Sequence, residues 1–305
     1  MGDMNIFMTG GTGLIGKALT SQLLNDGHSV TIMTRNIHRA RQAFPKSDND
    51  IRLVDNCDQL AGNHDYDAIV NLAGAPILEK RWTKRRKKKL LDSRVSLTQS
   101  LISKLKVSPQ KPTVFVSGSA IGYYGDTGDQ IIDEKSPKGT DFGALLVADW
   151  ENAAAHAEQL GIRTCLIRTG LVLSDTGGML SKMKLPFKLY LGAQIGHGNQ
   201  WMSWIHIDDQ VQIICNMLTD PAYQGVYNLC APNPVTNGEF THALAASLNS
   251  RAFFRAPEWM IRLILSEAGM LLTGGQRVLP HNLQQHGYEF RFKDLKQALN
   301  AVWRI

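Results

Sequence analysis

The sequence contains few cysteines and no long apolar run. Its four cysteines, at positions 57, 165, 215 and 230, are scattered without the close pairs typical of metal sites. We therefore expect buried free thiols and no bound metal. The chain has no stretch of about 18 uncharged apolar residues, and no basic-then-apolar leader at its N-terminus. These absences predict a soluble, cytoplasmic protein with no membrane partner.

Acidic residues are outnumbered by basic ones, 27 against 33, which gives a formal net charge of +6. The excess is local, because eight of the ten residues from Lys80 to Lys89 are basic. Without this run the balance would be slightly acidic. One charge run with a single aromatic residue, Trp82, is thin support for nucleic-acid binding. We interpret it as an exposed helix and expect no nucleic-acid partner.

Glycine is concentrated where a short apolar strand runs into a helix. The pattern is Gly10-x-x-Gly13-x-x-Gly16 within residues 6–16. Such a turn lets the backbone approach a pyrophosphate, and the following helix points its N-terminus at the negative charge. The alternative is a glycine-rich turn without a ligand. The residues predicted to hold the pyrophosphate are Gly10, Thr12, Gly13, Leu14 and Ile15.

The end of the second predicted strand lacks the acidic residue that an NAD site requires. In such sites an Asp or Glu accepts a hydrogen bond from the ribose 2′-hydroxyl. This chain has Thr34, Arg35 and Asn36 there. A guanidinium favours a 2′-phosphate that a carboxylate would repel. We therefore predict NADP(H), with Arg35 and Asn36 at the 2′-phosphate; an ordinary solvated arginine is the alternative.

Strands alternate with helices over the first two thirds of the chain, which predicts an α/β fold with a doubly wound parallel sheet of the Rossmann type. Beyond residue 174 the alternation weakens. We expect an NADP-binding domain over 1–174, which also receives segments from about 203–230, and a smaller C-terminal substrate lobe over 175–305. The predicted strands are 5–10, 29–34, 51–54, 67–72, 113–118 and 163–168, and the predicted helices are 14–26, 84–106, 143–160 and 207–219.

Small and hydroxyl residues end the fourth and fifth predicted strands. Ala73 and Gly74 follow the fourth strand, and Ser117 and Ser119 lie at the end of the fifth. Open α/β sheets bind ligands at the carboxyl ends of their strands. The cofactor cleft is therefore predicted to include Ala73, Gly74, Arg94, Ser117 and Arg168.

Several segments together resemble the extended short-chain dehydrogenase/reductase family, which includes nucleotide-sugar epimerases. They are the glycine motif, Arg168-Thr-Gly170-Leu, the stretch from Gly196 to Asp209, and Gly225-Val-Tyr-Asn228-Leu. The resemblance makes a homodimer plausible, although no interface is identifiable in the sequence. A subgroup of epimerase-family proteins is matched more narrowly by Val70 to Ile77, Ala120 to Gly125, Trp150-Glu151 and the tail from Arg277 to Leu299.

The sequence departs from that family in its proton-transfer residues. Family members carry a Tyr-x-x-x-Lys pair on the helix after the fifth strand. Alignment on Glu151 places Gly143 and Val147 at these positions, and a shift by one residue places Phe142 and Leu146 there. General acid-base assistance of roughly 10²–10⁴-fold is therefore missing from its usual place.

Two hydroxyl residues are the catalytic candidates. Ser119 matches the position of the family's catalytic serine, and the phenol of Tyr123 could replace the missing tyrosine. The alternatives are a serine that bonds a loop backbone and a packed aromatic residue. His206 is expected to brace the helix that follows it, and His197 lies in a glycine loop that could reach a substrate.

A second departure concerns the substrate. Nucleotide-sugar enzymes of the family place an arginine against the diphosphate, where this chain has Met202 between Trp201 and Trp204. Methionine cannot make the charge-assisted contact of a guanidinium. We therefore expect an apolar substrate pocket that includes these three residues. Packing within the lobe is the alternative.

These features predict an NADP(H)-binding, atypical member of the family with oxidoreductase or epimerase-like activity on an unknown small molecule. A non-catalytic NADP(H)-dependent sensor is the alternative from another class. A nucleotide-sugar epimerase is disfavoured because of Met202.

Overall fold

The computed structural model describes residues 2–44, 51–62 and 65–303. These residues form fifteen strands, numbered β1 to β15 in chain order. Their bounds are Asn5–Thr9, Ser29–Met33, Ile51–Val54, Ala68–Asn71, Val114–Ala120, Ile131–Ile132, Arg163–Thr169, Leu171–Leu173, Ala193–Ile195, Trp201–Met202, Trp204–His206, Gly225–Leu229, Val235–Thr236, Phe254–Ala256 and Arg277–Val278.

The same residues form twelve α-helices, α1 to α12, and a π-helical turn, Asp92–Ser96, that joins α3 to α4. The helices are Leu14–Asn25, Ile37–Ala43, Lys84–Leu91, Leu97–Val107, Phe142–Ala155, Gly178–Lys188, Ile207–Thr219, Asn237–Ser247, Glu258–Leu265, Met270–Thr273, His281–Gln285 and Leu295–Trp303. The 3₁₀ turns are Asp58–Ala61, Ile121–Tyr124, Glu158–Leu160 and Ser266–Gly269.

Seven parallel strands form the central sheet, in the order β12-β7-β5-β4-β1-β2-β3. The six predicted strands are confirmed to within two residues at each end, and β12 is the seventh. This is the Rossmann-type sheet that the alternation of elements predicts. The strand order reverses between β1 and β4, which opens a crevice at the carboxyl ends of these two strands.

The sheet is buried on both faces, so its strands are continuously apolar. Ile6, Phe7 and Met8 of β1 are all fully buried, although successive side chains point to opposite faces. Leu19 and Leu23 of α1 pack into the same core as Ile6 and Met8. This packing fixes the N-terminus of α1 beside the crevice.

Three of the four predicted helices have nearly the expected bounds, counting α3, the π-turn and α4 as one. The fourth, α5, ends at Ala155, five residues before the predicted end at 160. A 3₁₀ turn follows, and Gly161 then adopts a left-handed conformation with φ +77°. Because glycine accepts this conformation without steric cost, the chain turns there into β7.

A second core lies within the later part of the chain. It includes Trp204, Phe240, Leu244 and Leu299, all fully buried. The chain after residue 174 therefore contributes both to the central sheet, through β12, and to this separate core. The domain boundary at 174 stays a prediction.

Asp209 ties the C-terminal tail to the first turn of α7. Asp209 is 1% exposed. Its Oδ1 accepts from the Tyr288 hydroxyl at 3.0 Å and the Arg291 N–H at 2.8 Å, and its Oδ2 accepts from the Phe292 N–H at 3.1 Å. Burial, reinforced by this carboxylate, raises the pKa of Tyr288 far above its ordinary value.

Every helix within 2–44, 51–62 and 65–303 is too short or too polar to cross a bilayer.

Asp209→Asn should destabilise the protein by about 1–3 kcal/mol, because its new amide would meet the Phe292 N–H donor to donor inside the protein. The measurement is urea unfolding, with the midpoint shifted at constant slope. Asp208→Asn is the matched control. Asp208 is half exposed and paired with Arg291 at 3.2 Å, so its loss should cost less than about 1 kcal/mol. Equal losses in the two variants would contradict the tethering role.

Candidate functional site

A cavity of about 680 Å³ occupies the crevice between β1 and β4. Its walls come from β1, the turn before α1, the end of β2, α2, the segment after β4 and the π-turn. The predicted cofactor residues that line it are Gly10, Thr12, Gly13, Arg35, Asn36, Ala73 and Gly74.

Two glycines set how closely the first turn approaches the rest of the sheet. Gly10 has φ +73°, and a Cβ there would lie 2.6 Å from the backbone of Leu72. A Cβ on Gly16 would lie 2.2 Å from the carbonyl oxygen of Gly10. Both positions exclude a side chain, so the glycine pattern is a steric requirement of this turn.

The N-terminus of α1 is open to an anion. Gly13 precedes the helix without a side-chain cap, and the first turn contains no acidic residue. The first N–H groups of a helix have no partner within it and carry partial positive charge. Leu14 and Ile15 therefore offer backbone N–H groups. The Leu14 side chain turns away towards Gly177 and Gly178.

Arg35 and Asn36 lie where the sequence predicts, at the end of β2. Asn36 also caps α2, since its Oδ1 accepts from the Arg39 N–H at 2.9 Å. Arg39 and Lys17 line the same cavity, and sequence reasoning missed both. The signal for Arg39 was its place three residues after Asn36, a residue type that commonly caps a helix, which puts Arg39 in the first turn of α2. Among the described residues, none of the three cations has a carboxylate partner.

Arg94 is a further cation, carried by the π-turn. A Cβ on Gly74 would lie 2.9 Å from its Cζ, and the guanidinium lies 5.4 Å from the centre of the Trp150 ring. Burial, together with the charge of Arg86, lowers the pKa of Arg94 to about 10. Its one side-chain hydrogen bond within the described chain is a 3.5 Å contact to the Ser93 hydroxyl. A π-turn often marks a functional position, and no sequence pattern revealed this one.

The structure places Ser117 and Arg168 inside the protein, away from the open cavity wall. Ser117 is fully buried, and its hydroxyl accepts from the Asn71 amide at 3.2 Å. Arg168 makes a bidentate ion pair with Glu151, with both N···O distances 2.8 Å. Burial opposes the charge of Arg168, but the Glu151 carboxylate outweighs it and raises the pKa.

The two catalytic candidates come together around this ion pair. The Ser119 hydroxyl donates to Glu151 Oε1 at 2.5 Å. The Tyr123 ring lies 3.5 Å from Arg168 Cζ, in a cation–π stack. Tyr123 is half-buried, and its hydroxyl has no hydrogen-bond partner among the described residues. The structure thus presents one constrained hydroxyl and one open phenol at the carboxyl ends of β5 and β7.

Tyr124 has the opposite environment from its neighbour. Its hydroxyl accepts from Arg168 Nη1 at 2.9 Å and donates to Asn228 Oδ1 at 2.7 Å. Burial raises the pKa of Tyr124 to about 12, although Arg168 acts in the other direction. This phenol is fully engaged inside the protein, which leaves Tyr123 as the accessible member of the pair.

Helix α5 carries no tyrosine and no lysine. Gly143, Leu146 and Val147 are buried, and Phe142 packs edge-on against Trp82 with ring centres 5.0 Å apart. The positions considered for the family's pair are therefore apolar packing positions.

The three residues of the predicted substrate pocket have different surroundings. The half-buried Trp201 donates from Nε1 to Asp129 Oδ1 at 2.8 Å. Met202 is also half-buried, and its Sδ accepts from the Asn237 amide at 3.3 Å. Trp204 is fully buried in the second core and donates to the Asn233 carbonyl at 3.1 Å. Core packing accounts for Trp204.

Of the two histidines singled out in the sequence, His206 is buried and His197 is exposed. His206 braces α7 as expected, since its Nδ1 accepts from the Asp208 N–H at 3.2 Å. His197 lies exposed in its glycine loop, with Nδ1 3.6 Å from Glu258 Oε1.

The parallel sheet, the glycine turn and the cavity at the strand-order reversal define a dinucleotide-binding class of protein. The chain belongs to the NAD dependent epimerase/dehydratase family, whose model matches residues 6–230. Residues 256–302 match a domain of unknown function, DUF1731.

Similar proteins extend over nearly the whole chain. An epimerase family protein SDR39U1 homolog, chloroplastic, from Arabidopsis thaliana is 38% identical over 98% of this chain and 87% of its own length. Epimerase family protein Mb2239 from Mycobacterium bovis is 36% identical over 98% of this chain and 97% of its own length.

The solved structure of human epimerase family protein SDR39U1 (isoform 2) with NADPH is also similar. It is 34% identical, with a TM-score of 0.87 over 98% of this chain and 99% of that one. A UDP-glucose 4-epimerase from Thermotoga maritima, 15% identical, has a TM-score of 0.80 over 98% of this chain and 97% of its own, and shows the fold alone.

Glu151→Gln should destabilise the protein by about 3–5 kcal/mol, because it leaves the Arg168 charge buried without a counter-charge. The free energy of unfolding, from urea titration, measures this loss. Asp58→Asn is the control, since it breaks the exposed Asp58–Lys104 pair at 2.7 Å and should cost less than about 1 kcal/mol. A double variant with Arg168→Met should recover part of the loss. No recovery would count against the ion pair as its cause.

Proposed function

We propose that this protein binds NADP(H) in the cavity between β1 and β4 and acts as an oxidoreductase or epimerase-like enzyme on a small molecule. The observation that carries the proposal is a pair of guanidinium groups that line the cavity, with Arg39 in the first turn of α2 and Arg35 at the end of β2. An NAD site has a carboxylate in that place. The NADPH-containing structure of human SDR39U1 supports the same assignment.

The residues around the cavity fit the parts of such a cofactor. The turn from Gly10 to Gly13 and the uncapped N-terminus of α1 suit the pyrophosphate. Arg35 and Arg39 suit the 2′-phosphate, where a fork of N–H donors can make two parallel bonds. Ala73 and Gly74 have no bulky side chain, so the backbone after β4 allows close approach. Arg94, behind Gly74, adds a positive charge at that wall.

When bound, the cofactor would supply a hydride, and the protein would position the substrate and move a proton. Tyr123 is the proposed proton donor, because its hydroxyl has no hydrogen-bond partner among the described residues and its ring is stacked on the Arg168 guanidinium. Ser119 is proposed to orient the substrate. Trp201 and Met202, both half-buried, offer contact to an uncharged or aromatic group.

A non-catalytic NADP(H)-dependent binding protein is the second candidate. It is favoured by α5, which carries neither tyrosine nor lysine at any position. In that case Lys17, Arg35 and Arg39, the cations that line the cavity, would bind the nucleotide and no reaction would follow. The cofactor proposal is common to both candidates, so it is tested first.

Arg35→Ala should weaken NADPH binding by about 10- to 100-fold and leave NADH binding nearly unchanged, because one charge-assisted contact to the 2′-phosphate is lost. Isothermal titration of cofactor-stripped protein with each nucleotide gives both dissociation constants.

Arg41→Ala is the matched control, since Arg41 lies exposed on α2, six residues after Arg35, and is absent from the cavity wall. It removes the same charge and should change either constant by less than about threefold. If the two variants weakened NADPH binding equally, Arg35 would contribute only a general attraction between positive charge and the nucleotide, and no specific contact to the 2′-phosphate. Failure of the unmodified protein to bind either nucleotide would refute the proposal.

Tyr123→Phe tests the catalytic candidate. With a carbonyl compound that supports NADPH oxidation, this variant should lower kcat by about 10²-fold or more, while the NADPH dissociation constant stays constant. Tyr190→Phe makes the same change at an exposed tyrosine and should leave kcat unchanged. An unchanged kcat in Tyr123→Phe would remove the proton-donor role. If NADPH binds and a broad carbonyl panel gives no oxidation, the binding-protein candidate gains.

A further inference from the structure

Helix α9 is apolar, and only one side of it packs on the described chain, through Ile261 and Leu265. Six of its eight residues are apolar in the sequence Glu-Trp-Met-Ile-Arg-Leu-Ile-Leu, and none is buried. Trp259, Leu263 and Ile264 are 64%, 65% and 56% exposed. Contiguous apolar surface of this kind marks an interaction site.

The exposed apolar surface continues onto the neighbouring strands. Strand β14, just before α9, pairs in parallel with β9. Phe253 and Phe254 are exposed at β14, and Leu189 and Leu191 are exposed in the segment that leads into β9. We call α9 together with these four residues the apolar face.

Residues Lys80 to Lys89, the basic segment, are fixed against the C-terminal end of the apolar face. Arg81 Nε donates to the Ile264 carbonyl at 2.8 Å, and Arg81 Nη2 donates to the Leu263 carbonyl. Lys87 pairs with Glu267, in the turn after α9, at 2.6 Å. The charge run and the apolar helix therefore form one continuous surface.

Most cations of this surface have no counter-charge in the described chain. Of the eight cations in the basic segment, Arg86, Lys87 and Lys88 take part in ion pairs, and Arg81 donates to backbone carbonyls. The other four have neither kind of partner in the described chain. Two more exposed cations flank the apolar face. The six are Lys80, Lys84, Arg85, Lys89, Arg255 and Arg262.

We propose that the apolar face and the basic segment together dock the protein on the surface of an anionic lipid bilayer. An exposed helix with Trp and Leu enters the boundary between headgroups and acyl chains, and adjacent Lys and Arg attract anionic headgroups. The sequence-based expectation of no membrane partner followed from the lack of a spanning stretch. Docking on the surface does not need such a stretch.

Two other occupants fit these observations less well. A two-fold contact with a second copy would bring together two surfaces that carry the same excess of positive charge, and the repulsion between them would oppose the contact. A nucleic acid would attract the basic segment, but its phosphate backbone offers no apolar surface to Trp259 or Leu263. A bilayer with anionic lipid offers acyl chains to the apolar face and negatively charged headgroups to the basic segment.

Vesicle sedimentation tests the proposal with the full chain. The vesicles are phosphatidylcholine alone, or phosphatidylcholine with phosphatidylglycerol at about 7:3. We expect binding to the anionic vesicles, at least tenfold weaker to the neutral ones, and weaker at high salt. Leu263→Glu and the double variant Lys84→Glu/Arg85→Glu should each reduce binding by about tenfold or more. Trp259→Ser is a second probe of the apolar face.

The matched controls are Val107→Glu, an exposed apolar position at the end of α4, and Lys106→Glu/Lys296→Glu, which reverse two exposed charges elsewhere. These should leave vesicle binding unchanged. All variants should keep the thermal midpoint and NADPH affinity of the unmodified protein, which separates this test from that of the cofactor.

Two results would overturn the proposal. One is a lack of binding to the anionic vesicles, and the other is an equal loss of vesicle binding in the test and control variants. The first result can be accompanied by a dimer, seen by light scattering, that Leu263→Glu dissociates. That result would assign the apolar face to a second copy of the chain.

Discussion

The candidate active site depends on one buried ion pair, between Glu151 of α5 and Arg168 of β7. The pair connects a helix to the strand beside it and organises the hydroxyl groups nearby: Ser119 bonds the carboxylate, while Tyr124 and Tyr123 contact the guanidinium. Since two charges inside a protein are tolerated only when well paired, their geometry is tightly constrained. The fixed positions of the carboxylate and the guanidinium therefore also fix the side chains that contact them.

Local patterns predicted the sheet and the first turn of the cavity. Continuous apolar runs with intervening helices give parallel strands, and the close approach of Gly10 and Gly16 to neighbouring backbone explains why the glycines stand at these spacings. Arg35 is predictable because it stands at the end of the second predicted strand, where an NAD site has a carboxylate. Each of these features depends on residues near one another in sequence.

The features that the sequence did not reveal depend on contacts between distant segments or on backbone irregularity. Arg168 was expected at the cofactor, but its partner Glu151 is set by how α5 packs on the sheet. Arg94 owes its position to a π-turn inside a helix that looked continuous in the sequence. Trp204 could not be distinguished from its half-buried neighbour Trp201 until the second core was known, because one apolar pattern serves both packing and binding.

The bond between Ser119 and Glu151 limits what the site can do with a substrate. A serine hydroxyl has one proton to donate, and here it points to the carboxylate, so its oxygen is left to accept a hydrogen bond. A substrate hydroxyl fits this arrangement directly, whereas a carbonyl oxygen needs a donor from elsewhere. Tyr123 is the nearby phenol without an internal partner among the described residues. The proposed division of roles therefore follows from the ion pair: Glu151 fixes Ser119 as an acceptor, and Arg168 holds the ring of Tyr123, the proposed donor.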